Sequence, residues 1–258
     1  MMATISTLLK RYVILFSKNI NNQISLYCLL PILVYGFMVS PLSTIFSFID
    51  SSSMSYSYHS IPAVIFLCTS LIAIYTPIIF LNLDSQNQFQ SYILSYTNKY
   101  IYFGSILIFS VICSYVEFFI SFILIYNLSD SNSTMGIMIT TFQIINFIII
   151  SLPSILFFVS IGILLSNFLT KFENIISFLI FVFLFISFGS STFIPVDFYP
   201  EVLSNLISDY NLIYLQYNQL INILGNNNIN LGLIIITLFL SVFFSFLNII
   251  CFKKKDEY

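Results

Sequence analysis

Apolar residues in this chain come in long unbroken runs, separated by short stretches rich in Ser, Asn, Asp and Tyr, with none of the sustained alternation that marks strands. Six runs reach the roughly 20 mainly apolar residues that a bilayer-spanning helix needs, with no Lys or Arg inside. They lie near Ile24 to Phe48, Ile61 to Leu83, Ile101 to Leu128, Ile137 to Leu169, Ile175 to Ile194 and Leu231 to Phe252. Runs of this length exceed what a barrel strand needs, so the pattern predicts an all-α integral membrane protein with six transmembrane helices, in a single domain over residues 1–258.

Three shorter stretches carry helical spacing without the length or purity to span. In residues 2–20, Ile5, Leu8, Leu9, Val13, Phe16 and Ile20 fall near one face among Lys10, Arg11, Ser17 and Lys18, which predicts an amphipathic helix lying along the membrane surface. In residues 84–98, Phe89, Tyr92, Ile93 and Tyr96 stand at i, i+3, i+4 and i+7, with Gln86, Asn87, Gln90 and Ser91 around the rest of the wheel. A short amphipathic helix follows, started by Asp84 or Ser85 as a cap and free to pack on membrane or on a partner protein. In residues 195–224, Leu203, Leu206 and Ile207, then Leu212, Ile213, Leu215, Leu220, Ile221 and Leu224, recur among polar residues. These pieces are too polar to span and too apolar to float, so they read as a helical re-entrant hairpin. Gly189 to Thr192 end the fifth span, Pro195 turns the chain, and Pro200 starts the first short helix with Asp197 and Glu201 near its positive end.

Charge then orients the chain. Of 258 residues, 59% are hydrophobic and 7% charged, outside the range of ordinary globular domains. All eight basic residues fall on one side of the six runs: Lys10, Arg11 and Lys18, then Lys99, then Lys171, then Lys253 to Lys255. The other side holds Asp50, Asp130, Asp197, Glu201 and Asp209 and no base. The positive-inside rule therefore predicts a multi-pass protein of the cell membrane with both termini in the cytoplasm. The first 20 residues have no short apolar core followed by a small-residue cleavage site, so the first span is expected to be retained.

Candidate chemistry is sparse. Cys28, Cys68, Cys113 and Cys251 lie in or at the edge of spans with no metal-type pairing and read as packing residues. His59 is the one histidine, so neither a metal site nor a Ser-His-acid set is expected, and no catalytic residue is assigned. Glu117 is the one carboxyl well inside a span. It is either hydrogen-bonded to a neighbouring helix through partners such as Ser114 or Tyr115, or part of substrate passage or proton coupling. No GxxxxGK[ST] run is present, so this chain supplies no P-loop.

The order of parts resembles the permease subunit of ABC-type exporters, in the type-2 permease family. LLKRYVILFSKNINNQISLYCLLPILVYG resembles that family's amphipathic entry helix running into a proline-bearing first span. Residues 84–98 followed by YIYFGS resemble its cytoplasmic coupling helix, and SFGSSTFIPVDFYPEVLSNLISDYNLIYL resembles its stretch after the fifth span. This chain departs from the pattern in having Leu212 after Asn211, where the family often has Pro, and in a coupling segment rich in Gln, Asn and Ser.

The resemblance implies a non-enzymatic membrane subunit without a cofactor of its own, paired with an identical or homologous permease. Two cytoplasmic ATPase chains carrying ATP and magnesium would dock on Phe89, Tyr92, Ile93 and Tyr96, and the pair would export an amphipathic or hydrophobic compound such as a membrane-active peptide, drug or antibiotic. Polysaccharide or glycolipid export is the alternative within the family. A secondary transporter or a membrane assembly factor is the alternative outside it.

Overall fold

The computed structural model describes residues 2–18, 20–49, 56–86, 89–91, 98–128, 141–225 and 229–255. Among them there is no strand, and six helical stretches are long and apolar enough to cross a membrane: Gln23–Phe46, His59–Gln86, Lys99–Ile125, Ile145–Leu165, Phe172–Gly189 and Leu231–Cys251. Each begins and ends within a few residues of an expected run, save that the first residues of the fourth run, 137–140, lie outside the described residues.

The helices in chain order are α1 (Met2–Lys18), α2 (Ile20–Val34), α3 (Ser40–Ile49), α4 (Tyr56–Gln86), α5 (Lys99–Leu128), α6 (Thr141–Leu165), α7 (Phe172–Leu184), α8 (Glu201–Tyr210), α9 (Leu212–Gly225) and α10 (Leu231–Lys255). A π-turn at Tyr35–Val39 joins α2 to α3, and a second at Phe185–Gly189 prolongs α7. Pro31 lies inside α2, one turn before the first of these. Proline removes one ladder hydrogen bond and crowds the preceding turn, and π-turns change the helical phase, so the first span is built to bend.

Helix α4 is the hub. In its most apolar stretch 89% of residues are buried, against 22% for the spans containing α2, α7 and α10. It packs on α2, α3, α5, α6, α7 and α9. The reason is partly local. Gly162 of α6 lies so close to α4 that a Cβ there would sit 2.6 Å from the Ile74 carbonyl oxygen and 2.7 Å from Cγ of Pro77. Pro77 deprives the Ala73 carbonyl of its usual i+4 donor. A residue without a side chain lets α6 approach α4 at that point, and the two helices run in close contact.

Cross-links group the helix ends into two sets. At one end, Asn82 Nδ2 donates to the Leu169 carbonyl (2.8 Å) and Asn167 Nδ2 to Asn248 Oδ1 (2.6 Å), which ties the chain just after α6 to the C-terminal parts of α4 and α10. Lys18, Lys99 and Lys171 lie at or beside helix termini on this same side of the topology, the basic end. At the other, acidic end, Tyr217 Oη donates to the His59 carbonyl (2.6 Å), and Tyr56 Oη donates to the Phe193 carbonyl (2.7 Å). These bonds join the starts of α4 and α9 to the chain that follows α7.

Candidate functional site

At the basic end, one buried carboxylate gathers four elements. Asp84 is fully buried in the last turn of α4, where the helix dipole disfavours a negative charge. It is compensated from outside the helix. Arg11 of α1 pairs with its Oδ1 at 2.6 Å, while Oδ2 accepts from Tyr102 of α5 at 2.9 Å and from Tyr12 of α1 at 3.3 Å. The Phe89 ring lies 3.4 Å from the Arg11 guanidinium carbon, so the cation is held between a carboxylate and an aromatic face. Burial first, and then the Asp84 charge, push the Tyr12 phenol above its ordinary range, so it remains a donor. Tyr12 also packs its ring on Phe80 and Phe109. Helix α1 is thereby fastened to the end of α4, the start of α5 and the segment between them.

This corrects the expectation for Asp84. It does not open the helix of residues 84–98, because α4 continues through Gln86 and Asp84 belongs to its last turn. Phe89 is helical and half-buried against the core, and it meets Arg11. Tyr92, Ile93 and Tyr96 lie outside the described residues.

Deeper in the bundle, Glu117 is fully buried on α5. Its hydrogen-bond partner is Ser121, one turn along the same helix, which donates to Oε1 at 2.8 Å. Ser114 instead donates to the Ser110 carbonyl, and Tyr115 reaches the Ile148 carbonyl of α6. Oε2 has no hydrogen-bond partner. Cys68 of α4 and Tyr27 of α2 lie within electrostatic reach of the carboxyl group, and Tyr27 in turn meets Thr76 of α4 and Cys113 of α5. The carboxyl's bond thus runs along its own helix to Ser121, while Ser114 and Tyr115 bond elsewhere.

At the acidic end the Gly-Ser-Ser-Thr patch is a buried plug. Ser190, Ser191, Thr192 and Phe193 are all fully buried. The chain leaves the π-turn at Gly189 and passes through Ser191 with φ of 53°, a left-handed conformation uncommon outside glycine. Two side-chain bonds hold it there: Ser191 Oγ donates to the Ile194 carbonyl (2.5 Å) and Thr192 Oγ1 to the Ile186 carbonyl (2.7 Å). Pro195 follows, then a 3₁₀ turn at Val196–Phe198, and Pro200 is the N-cap of α8 with Glu201 in its first turn. The proline thus stands one position earlier than the first-turn place expected for it.

Asn211, between α8 and α9, ties this plug to the next helix. Its Nδ2 donates to the Gly189 carbonyl (3.0 Å) and to Ser190 Oγ (3.2 Å), and its Oδ1 accepts from the backbone N–H groups of Ile213 and Tyr214. One amide caps α9 and closes the end of the fifth span. His59 lies in the first turns of α4, edge-on to Tyr217 at 5.3 Å. Among the described residues no group of three or more His, Cys, Asp or Glu is placed to hold a metal ion.

Arg11, Tyr12, Tyr102 and Asn211 were not singled out by the sequence for these roles. Asp84 had a usable signal, as an acid closing a span on the side where the bases collect. No protein-family model matches the chain, and no curated protein or solved structure matches it either.

Proposed function

We propose that this chain is the membrane-spanning subunit of an ATP-driven exporter, with the basic end in the cytoplasm. Two copies, or this chain and a sister subunit, would work with two separate ATPase chains that bind ATP and magnesium. The observation that carries the reading is the Asp84 cluster. A pull on the segment after α4 reaches α1, α4 and α5 together through Arg11, Asp84, Tyr12, Tyr102 and Phe89. A membrane subunit that must convert motion at a docked ATPase into helix movement needs a fastening of that kind. The helix before the first span, the six spans and the helical pair before the last span agree with the resemblance noted above.

The substrate class follows from the surface. Between α2 and α7, floored by α4, runs an open groove of about 340 Å³ lined by apolar side chains such as Leu26, Leu30, Ile72, Tyr75, Leu179 and Phe183. It carries no charge, which suits an amphipathic or hydrophobic compound and the apolar face of a second subunit. In this reading α1 lies along the inner membrane surface, and α8 and α9 form a hairpin that dips back into the outer leaflet. The exposed Val202, Leu203 and Leu206 of α8 would then meet lipid.

Efflux from inverted vesicles tests it. ATP added outside should drive uptake of a hydrophobic cationic dye or a membrane-active peptide, and Arg11→Met should weaken uptake more than it weakens ATP hydrolysis. Uptake that follows an ion gradient and ignores ATP would overturn the proposal. ATP hydrolysis stimulated by a lipid-linked glycan and not by peptides would redirect it to glycan export.

A further inference from the structure

We propose that Glu117 is a proton-binding site inside the bundle, taking up and releasing one proton as the surroundings of its carboxyl group change. Full burial, one neutral hydrogen bond to Oε1 and an unpartnered Oε2 describe a group built for a proton on its second oxygen. No cation is at hand, because the Lys and Arg residues lie outside the apolar runs. The titratable groups within electrostatic reach of Glu117 are Tyr27 from α2 and Cys68 from α4, both neutral in their ordinary forms, with Ser121 as a hydroxyl; Cys113 of α5, also neutral, and Thr76 of α4 meet Tyr27.

The same inventory selects the ligand. A hard metal cation needs several oxygen ligands, and one of the groups beside Glu117, Cys68, is a thiol, which suits soft metals. A proton needs one lone pair, and Oε2 supplies it.

Release has a route as well. Tyr27 is the α2 residue within electrostatic reach of the carboxyl, and α2 belongs to one of the three least buried spans and carries Pro31 just before the π-turn at Tyr35–Val39. Ser121 donates to Oε1, a bond that an ionised carboxylate keeps once displacement of α2 admits water. The O–H bond at Oε2 breaks, its electron pair stays on the carboxylate, and water carries the proton away.

Infrared difference spectroscopy of the full-length chain in phosphatidylcholine vesicles, between neutral and alkaline pH, tests this without any ATPase present. Its failure would leave the proposed transport function standing. The expected result is a protonated-carboxyl C=O band at neutral pH that shifts in heavy water, is lost at alkaline pH, returns on reacidification and is missing from Glu117→Gln. If that variant does not fold, Glu117→Asp should displace the band. A band that is absent at neutral pH, persists at alkaline pH, survives in Glu117→Gln or keeps its position in Glu117→Asp overturns the proposal.

Discussion

Asp84 shows how much one residue can hold. Its two oxygens take an arginine and two tyrosines from two other helices, so removing any partner leaves buried polar groups unsatisfied. Arg11→Met is expected to destabilise the folded chain by roughly 3 kcal/mol, at the lower end for a buried ion pair because Arg11 keeps partial contact with solvent. The double change Arg11→Met with Asp84→Asn should recover part of that loss, since it removes both charges together. Thermal unfolding in mild detergent reads both, and a double variant no more stable than Arg11→Met would refute the pairing. Asn211 is the counterpart at the acidic end. Asn211→Ala should cost about 1–2 kcal/mol as a lost helix cap and loosen the plug, read as faster hydrogen exchange at Ser190 to Phe193. Asn211→Asp keeps the cap acceptor but loses the donor to Gly189, so it should fall between Asn211→Ala and the unaltered chain.

At the scale of elements, the close approach of α4 and α6 depends on the absence of a side chain at Gly162. Gly162→Ala puts a methyl group against backbone and a proline ring and is expected to cost about 1–3 kcal/mol; Gly162→Leu should prevent assembly of the pair. Gly36 and Gly104 have open space where a Cβ would go, so alanine at either should leave the melting temperature within a degree or two. If Gly162→Ala behaved like Gly36→Ala, the packing described for α4 would be wrong. The elements themselves were largely legible in the sequence, because span length is a run-length signal that a bilayer imposes and that no tertiary contact overrides. Their junctions were less so. Asp84 and Ser85 looked like a cap because polar residues follow them, yet the helix runs on to Gln86 once Asp84 has a partner to offset the dipole. The pairing of Arg11 with Asp84 spans more than seventy positions, and Arg11 carried only the topological meaning of a base beside the first span. Glu117 stood out because a carboxyl inside a span is rare, but its partner depended on side-chain direction around α5, which spacing does not resolve.

For the whole molecule, the division into a basic and an acidic end is what orients every functional statement. With the native cysteines replaced by alanine, Ser208→Cys should react with a membrane-impermeant maleimide added to intact cells, whereas Lys171→Cys should react only after the membrane is opened. The reverse pattern would invert the protein and place the Asp84 cluster on the wrong face for an ATPase. The most direct test of the central claim is purification of the full-length chain from its own membrane in mild detergent, with the mass of the intact complex measured. The expected mass is that of two permease subunits and two chains that each carry a P-loop, an assembly reduced or broken by Arg11→Met. A complex that never contains a nucleotide-binding chain, in any detergent that keeps the six spans folded, would contradict it.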